Sequence, residues 1–179
     1  VTPSVHHRHR VTVVANTRGF SRAAVADAVA GGLGPAIHGT GWEGLVAPGA
    51  ICADYVPFEA LPTVYASAEV VLNDHWETMR RWGFLSNRVF DVLACGTPVV
   101  SDDLPEVQEV FGDLVPTWST PEQLRDVVVA LLADPRRTAE RVAAARALVL
   151  GSHTMDHRVA ELTELLARHG LTPGAGPPR

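Results

Sequence analysis

The stretch that decides the fold is NDHWETMRRWGFLSNRVFDVLACGTPVVS, residues 73–101. It predicts a polar loop, a short helix over residues 86–95 and a strand over residues 98–101. Gly96 suits the left-handed position that ends many helices, and Pro98 suits a strand start, where a missing N–H costs little. A helix between two strands indicates a parallel sheet, so the loop should lie at the sheet edge where ligands bind.

The start of this helix is a candidate anion site. Ser86 can cap it, which leaves the backbone N–H groups of Asn87 and Arg88 unpaired at the positive end of the helix dipole. Arg88 adds a permanently charged guanidinium, and Asp91 lies one turn further on the same face. Phosphate could bind Arg88 and the helix end while Asp91 accepts hydrogen bonds from paired sugar hydroxyls. The alternative is an ordinary Arg88–Asp91 surface pair.

Outward from this stretch, short apolar runs alternate with helical segments. The predicted strands cover residues 11–15, 35–38, 51–56, 69–72, 98–101 and 114–117. The predicted helices cover residues 21–31, 58–67, 86–95, a segment that begins at 104–106, and residues 121–133, 136–150 and 154–168. This order predicts an α/β, Rossmann-like, mainly parallel sheet with helices on both faces and a helical C-terminal extension. We expect a linker or arm at residues 1–10, one domain at 11–169 and a disordered tail at 170–179.

Composition excludes several classes of function. The 179 residues carry a net charge of −5, which argues against a general nucleic-acid or anionic-membrane surface. All 15 basic residues are Arg, so no lysine can bind phosphate or form a Schiff base. Cys52 and Cys95 stand in apolar contexts, which predicts buried, reduced thiols. No apolar run approaches the ~20 residues that span a bilayer, so we expect a cytoplasmic protein.

Two further loops carry candidate residues. Arg18 follows the first predicted strand at its carboxyl end, where open α/β sheets bind ligands, although most loop arginines are simply solvated. His75 could form an acid–base pair with Asp74 or Glu77, although an isolated loop histidine is more often structural.

Residues 39–44 match the G-x-G-x-x-G dinucleotide fingerprint after a strand. That fingerprint requires a helix to open at this point, whereas Pro48 and Gly49 indicate a loop. We therefore reject a dinucleotide site and retain a glycine-lined turn, which includes Gly41, near a ligand.

Three clusters of potential metal ligands lack the partners that a metal site needs. They are His6, His7 and His9; His153 and His157; and Asp102 and Asp103. We interpret the first cluster as part of a solvated arm, the second as surface residues and the third as helix caps, and we predict no metal site.

Taken together, these motifs resemble the C-terminal, nucleotide-sugar-binding half of a GT-B glycosyltransferase. The similarity is greatest to the group 1 transferases of the spore-maturation-protein type and extends over residues 11–112. The matching residues are 39–42, 55–57, 61, 62, 65, 68, 71–76, 83–88, 90, 91 and 94–100.

The resemblance implies a retaining transfer of sugar from a nucleoside-diphosphate sugar, without a required metal or cofactor. It also implies a separate N-terminal domain that binds an unknown acceptor, without which we expect weak activity or none. One alternative is a non-catalytic nucleotide-sugar-binding or partner module, and another is a GT-B-fold epimerase, which would need further acid–base residues.

The family pattern has two acidic residues separated by seven others. The second, which holds the donor ribose in the family, falls on Asp91. The first falls on Gly83, so the residue that would contact the donor sugar is not identified. The predicted catalytic residues are Arg18, Arg88 and His75. The predicted donor-binding residues are Gly19, Gly41, Val56, Phe84, Leu85, Ser86, Asn87 and Asp91.

Overall fold

The computed structural model describes residues 9–171. Its strands are β1 His9–Val14, β2 Ala36–His38, β3 Ile51–Ala53, β4 Ala68–Asn73, β5 Val99–Asp102 and β6 Thr117–Trp118. Its α-helices are α1 Ala23–Ala30, α2 Leu61–Ala66, α3 Glu77–Trp82, α4 Asn87–Ala94, α5 Pro105–Phe111, α6 Pro121–Ala133, α7 Pro135–Ser152 and α8 Met155–Arg168. Short 3-10 turns cover Pro48–Ala50, Phe58–Ala60 and Gly112–Leu114.

The strands form one sheet in the order β3-β2-β1-β4-β5-β6, and every neighbouring pair is parallel. The predicted Rossmann-like sheet is therefore confirmed, as is the helical C-terminal extension of α6, α7 and α8. After β3 the chain returns past β1 to build β4, so the direction of strand addition reverses between β1 and β4. Ligands of doubly wound sheets bind at that reversal, beyond the carboxyl ends of the strands.

Two apolar clusters cover the two faces of the sheet. On one face α1 and α6 pack Ala24, Val25 and Val128 against β1 and β4. On the other face α4 and α7 contribute Val89 and Val149 to the second cluster. Because both faces are covered, the central strands read as continuous apolar runs, which is why the sequence predicts them well.

Several boundaries differ from the prediction. β1 begins at His9, so the proposed linker 1–10 overlaps the sheet by two residues; residues 1–8 and 172–179 lie outside the described part. β3 ends at Ala53, and residues 54–56 form a loop instead of strand. β6 is only Thr117–Trp118, after Pro116, which has no N–H for a sheet hydrogen bond. Helix α3 was not predicted, because its six residues carry too short a pattern to distinguish it from a loop.

No helix in residues 9–171 has an apolar stretch long enough to cross a membrane.

A buried ion pair joins α1 to the end of β4. Arg22, at the N-cap position of α1, is 5% exposed, and Asp74, directly after β4, is 3% exposed. Arg22 Nε donates to both carboxylate oxygens at 3.0 Å, and its Nη2 donates to the Asp74 carboxylate and to the Asp74 carbonyl. The backbone N–H of Ala24 also donates to the Asp74 carboxylate at 3.2 Å. Asp74 thus neutralises Arg22 and satisfies the first turn of α1.

Replacing Asp74 with Asn should leave Arg22 buried without a counter-charge and should lower the free energy of unfolding by about 3–5 kcal/mol. Urea denaturation monitored by tryptophan fluorescence measures this loss. Glu140→Gln is the matched control, because its ion pair with Arg136 is exposed and should contribute less than about 1 kcal/mol. Equal losses in the two variants would contradict a structural role for the Arg22–Asp74 pair.

Candidate functional site

A cleft of about 520 Å³ opens at the carboxyl ends of β1 and β2 and extends to the start of α4. The structure brings seven predicted site residues together in its wall: Arg18, Val56, Leu85, Ser86, Asn87, Arg88 and Asp91. Four other predicted residues, Gly19, Gly41, Phe84 and His75, do not line it. The cleft therefore lies at the reversal of the strand order, where doubly wound sheets bind their ligands. The roles of its residues remain predictions.

Arg88 is the cleft's main positive group. Its Nη1 donates to the side-chain oxygen of Asn73 at 3.0 Å, and Asn73 Nδ2 in turn donates to Ser101. Within residues 9–171 no carboxylate approaches it to salt-bridge distance, so the alternative of an Arg88–Asp91 surface pair is wrong. Burial lowers the pKa of Arg88, yet a guanidinium remains charged. Its charge is thus held in place by neutral groups and is not cancelled by an acid.

The start of α4 is held by a different group from the one predicted. Ser86 occupies the N-cap position, but its side chain makes no capping hydrogen bond. Its backbone N–H instead donates to His75 Nε2 at 3.0 Å. Among the described residues the N–H groups of Asn87 and Arg88 have no protein partner, so they remain free to bind an anion, as the sequence predicts.

His75 has a structural environment. Its side chain is fully buried, and its Nδ1 lies 2.6 Å from Asp102 Oδ1. With Nε2 accepting from Ser86, the network fits the neutral tautomer in which Nδ1–H donates to Asp102. The expected pairing with Asp74 or Glu77 is therefore wrong, and both ring nitrogens are occupied. This geometry favours a positioning role over the predicted catalytic contact.

Asp102 organises the loop between β4 and α4. It accepts hydrogen bonds from the His75 ring, from the His75 backbone N–H at 3.1 Å and from Arg80 Nη1 at 2.6 Å. The expectation that Asp102 and Asp103 cap the next helix is wrong, because α5 has Leu104 at its N-cap position without a side-chain cap. Burial raises the pKa of Asp102, but the hydrogen bonds from His75 and Arg80 outweigh it, so the net pKa is lowered.

A carboxylate with a lowered pKa stabilises the fold above its ordinary pKa of 3.8, and this stabilisation disappears as the pH falls through the lowered value. The free energy of unfolding should therefore drop below about pH 4. Asp102→Asn should be less stable than the parent at pH 7 and should lose less on acidification. Asp103→Asn, which changes the exposed neighbouring carboxylate, should keep the parent's pH dependence. Denaturant unfolding at pH 7, 5, 4 and 3 tests this, and parallel curves for Asp102→Asn and the parent would contradict it.

The sequence analysis missed two cleft residues, Arg22 and Trp76. The Arg22 guanidinium carbon lies 4.1 Å from the centre of the Trp76 ring, and that of Arg18 lies 5.7 Å from it. Trp76 thus orders two arginines through cation–π contacts. Arg18 adopts a left-handed backbone, φ 51°, which is uncommon outside glycine and occurs at functional sites. The available signal was that Arg22 and Asp74 follow strands β1 and β4, which a parallel sheet can place side by side.

The glycines of the 39–44 turn allow a close approach between two loops of the protein. A side chain on Gly39 would collide with the carbonyl of Ala15, and one on Gly41 would collide with the Thr17 hydroxyl. These glycines let the turn after β2 pack against the turn after β1. After this turn the chain forms a loop and a 3-10 turn, and no α-helix begins there. The dinucleotide fingerprint requires such a helix, so its rejection is consistent with the structure.

The two C-terminal histidines are half-buried and make local contacts. The His153 ring packs 5.4 Å from the Phe90 ring, and the N–H of His157 donates to the Thr154 side chain at the start of α8. Their interpretation as surface residues is therefore only partly right, because one packs against an aromatic ring and the other takes part in a helix cap.

A model of the glycosyl transferase-like family matches residues 17–164. This chain belongs to the glycosyl transferase-like family. The match covers all helices except the end of α8, and all of the cleft except Val14, Ala15 and Asn16.

Two solved structures share the fold of this glycosyl transferase-like protein. A GtfA/B complex matches with a TM-score of 0.58 and 16% identity, over 90% of this chain and 37% of that one. Sucrose-phosphate synthase from Thermosynechococcus elongatus matches with a TM-score of 0.56 and 18% identity, over 91% of this chain and 47% of that one. The chain thus spans less than half the length of either relative. No curated protein sequence matches it significantly.

Gly83 is where this glycosyl transferase-like chain lacks the first acidic residue expected from the resemblance. It ends α3 with a left-handed backbone, φ 64°, and a side chain there would collide with the Glu106 carboxylate. One oxygen of Glu106 is buried without a hydrogen-bond partner in the described part of the chain. The space next to position 83 is therefore occupied by a carboxylate from α5, so an acidic residue cannot be restored at 83 without moving Glu106.

Gly83→Ala should destabilise the protein because the left-handed backbone costs about 1–2 kcal/mol and Glu106 must also move. Gly44→Ala is the matched control, since Gly44 has a similar backbone, φ 77°, but open space around it. Denaturant unfolding should show a larger loss for Gly83→Ala, and adding Glu106→Ala should remove the difference. An equal decrease in the free energy of unfolding for Gly83→Ala and Gly44→Ala would mean that the collision with Glu106 does not affect stability.

Proposed function

We propose that the cleft binds a nucleoside-diphosphate sugar and that the domain is the donor-binding half of a retaining glycosyltransferase of the spore-maturation-protein type. The observation that supports this most directly is the uncompensated charge of Arg88. A guanidinium positioned by Asn73 beside the free N–H groups of α4 presents a preorganised site for a phosphate group.

A second arginine adds positive charge to the cleft. Arg18 lines the same cleft, is exposed, and has no carboxylate at salt-bridge distance among residues 9–171. Arg22 contributes little net charge because Asp74 neutralises it. Arg18 and Arg88 would therefore bind the diphosphate together.

Asp91 supplies the hydrogen-bond acceptor for the ribose in this proposal. It lies one helical turn after Arg88 on α4 and lines the cleft. Burial raises the pKa of Asp91, and the charge of Arg88 partly opposes this. Asp91 is exposed, so its carboxylate oxygens can accept hydrogen bonds from two ribose hydroxyls. The base would then lie against residues 54–56, where the exposed Tyr55 offers an aromatic surface.

During transfer, the bond between the sugar carbon and the diphosphate oxygen breaks, and negative charge develops on the leaving diphosphate. Arg18, Arg88 and the N–H groups of α4 stabilise that charge without reorganising. His75 is unsuited to activate an acceptor hydroxyl, since its ring nitrogens are occupied by Asp102 and Ser86. We therefore assign acceptor binding to a second domain, as the resemblance implies.

The two cysteines are free thiols, Cys52 exposed and Cys95 half-buried. The prediction of two buried thiols is thus wrong for Cys52. Two unpaired thiols fit a reducing compartment, so we retain the cytoplasm as the proposed location.

Calorimetric titration with UDP, GDP and dTDP tests the site. At least one should bind, and Arg88→Met should weaken it about 10–100-fold, because a charge-assisted hydrogen bond contributes about 1.5–3 kcal/mol. Arg136→Met, which changes an exposed arginine on α7, is the control and should bind like the parent. Absence of binding by all three nucleotides, or parental affinity in Arg88→Met, would overturn the proposal.

Asp91 has its own test within the same titrations. The parent should bind a ribonucleotide more tightly than its 2′-deoxy analogue, and Asp91→Asn should reduce that preference without abolishing phosphate-dependent binding. An undiminished preference in Asp91→Asn would remove the ribose role and leave the phosphate site intact.

A non-catalytic nucleotide-sugar-binding or partner module is the second candidate. It is favoured by Gly83, which stands where the resemblance predicts an acid, and by the fully bonded His75. A full-length protein that binds the donor but transfers no sugar to a broad acceptor panel would support the module.

A further inference from the structure

Three neighbouring strands bring together a cysteine and two histidines, none of which is a predicted donor contact, although His38 also lines the cleft. They are His9 on β1, His38 on β2 and Cys52 on β3. One ligand atom from each lies within 4.8 Å of the other two. His9 Nε2 is 3.7 Å from Cys52 Sγ, and the two imidazole centres are 6.2 Å apart. His9 precedes the region that matches the family model, whereas His38 and Cys52 lie within it.

His38 is the observation that points to a ligand. Both of its ring nitrogens are buried, and neither has a hydrogen-bond partner among the described residues. Buried polar atoms in native proteins nearly always have a partner, and an unpaired one costs about 1–3 kcal/mol. A metal ion bound to one nitrogen would use a lone pair that the protein leaves unused.

The spacing is close to that of a tetrahedral site. Zinc–sulfur and zinc–nitrogen bonds of about 2.3 and 2.05 Å at tetrahedral angles place sulfur and nitrogen about 3.6 Å apart. The observed His9–Cys52 distance is 3.7 Å, so these two side chains need almost no movement. Cys52 is exposed, which gives an ion access from solvent.

We propose that His9, His38 and Cys52 bind one borderline-soft divalent cation of the zinc type, with a water molecule in the fourth position. Thiolate and imidazole ligands select such ions over magnesium or calcium, which prefer oxygen. The ion would connect β1, β2 and β3, the edge of the sheet that carries residues 54–56 of the cleft wall. Its role is structural, and it revises the prediction that no metal site is present.

Metal binding to the purified chain tests the proposal. Zn²⁺ should bind one-to-one in competition with a chromophoric chelator, and Co²⁺ should give the absorption band of cobalt–thiolate ligation. Cys52→Ser and His9→Gln should each weaken Zn²⁺ binding by about 100-fold or more, since even indirect partners of metal ligands contribute 10–100-fold. Cys52→Ser should also remove the thiolate band. Zn²⁺ should raise the Tm of the parent but not of these variants.

Cys95→Ser is the matched control, because it removes the other free thiol and should keep the affinity, the cobalt band and the Tm shift. Cys52 is exposed and His9 is partly exposed, so neither variant should disturb folding, and circular dichroism checks this. The proposal is overturned if the parent binds no Zn²⁺ at one-to-one stoichiometry. It is equally overturned if Cys52→Ser and His9→Gln bind it like the parent.

Discussion

The buried ion pair between Arg22 and Asp74 is the interaction on which the candidate site depends. It connects the start of α1 to the end of β4, next to the point where the strand order of the sheet reverses. The same pair holds Arg22 against Trp76, which also orders Arg18 at the cleft. The Asp74 carboxylate therefore fixes both the start of α1 and the position of Arg22 in the cleft wall. Its loss would affect stability and binding together.

A second chain of hydrogen bonds positions the other wall. Asp102 orients His75, and His75 accepts the N–H of Ser86 at the start of α4. Among the described residues, the next two N–H groups have no protein partner. A histidine that resembles a catalytic base in sequence thus positions the helix start of the proposed anion site without lining the cleft itself.

Charged residues are distributed unevenly over the molecule. The chain carries a net charge of −5, yet within residues 9–171 neither Arg18 nor Arg88, which line one cleft, has a carboxylate at salt-bridge distance. A buried guanidinium without such a partner destabilises a protein unless an anion balances it. Membership of the glycosyl transferase-like family and a phosphate-bearing donor are consistent with this arrangement, although the family itself was assigned independently of it.

The sequence by itself determined the alternating α/β pattern, the parallel sheet and the placement of Arg88 and Asp91 on one helix, because these depend on periodicity and local spacing. The tertiary structure alone decided that His75 pairs with Asp102, 27 residues away, and that Glu106 occupies the space beside Gly83. Such partners come from different strands and helices, and no local sequence pattern encodes which strand and helix ends meet at the edge of a sheet. Periodicity specifies which face of an element is buried, whereas the packing of elements determines which polar groups meet and which remain free for a ligand.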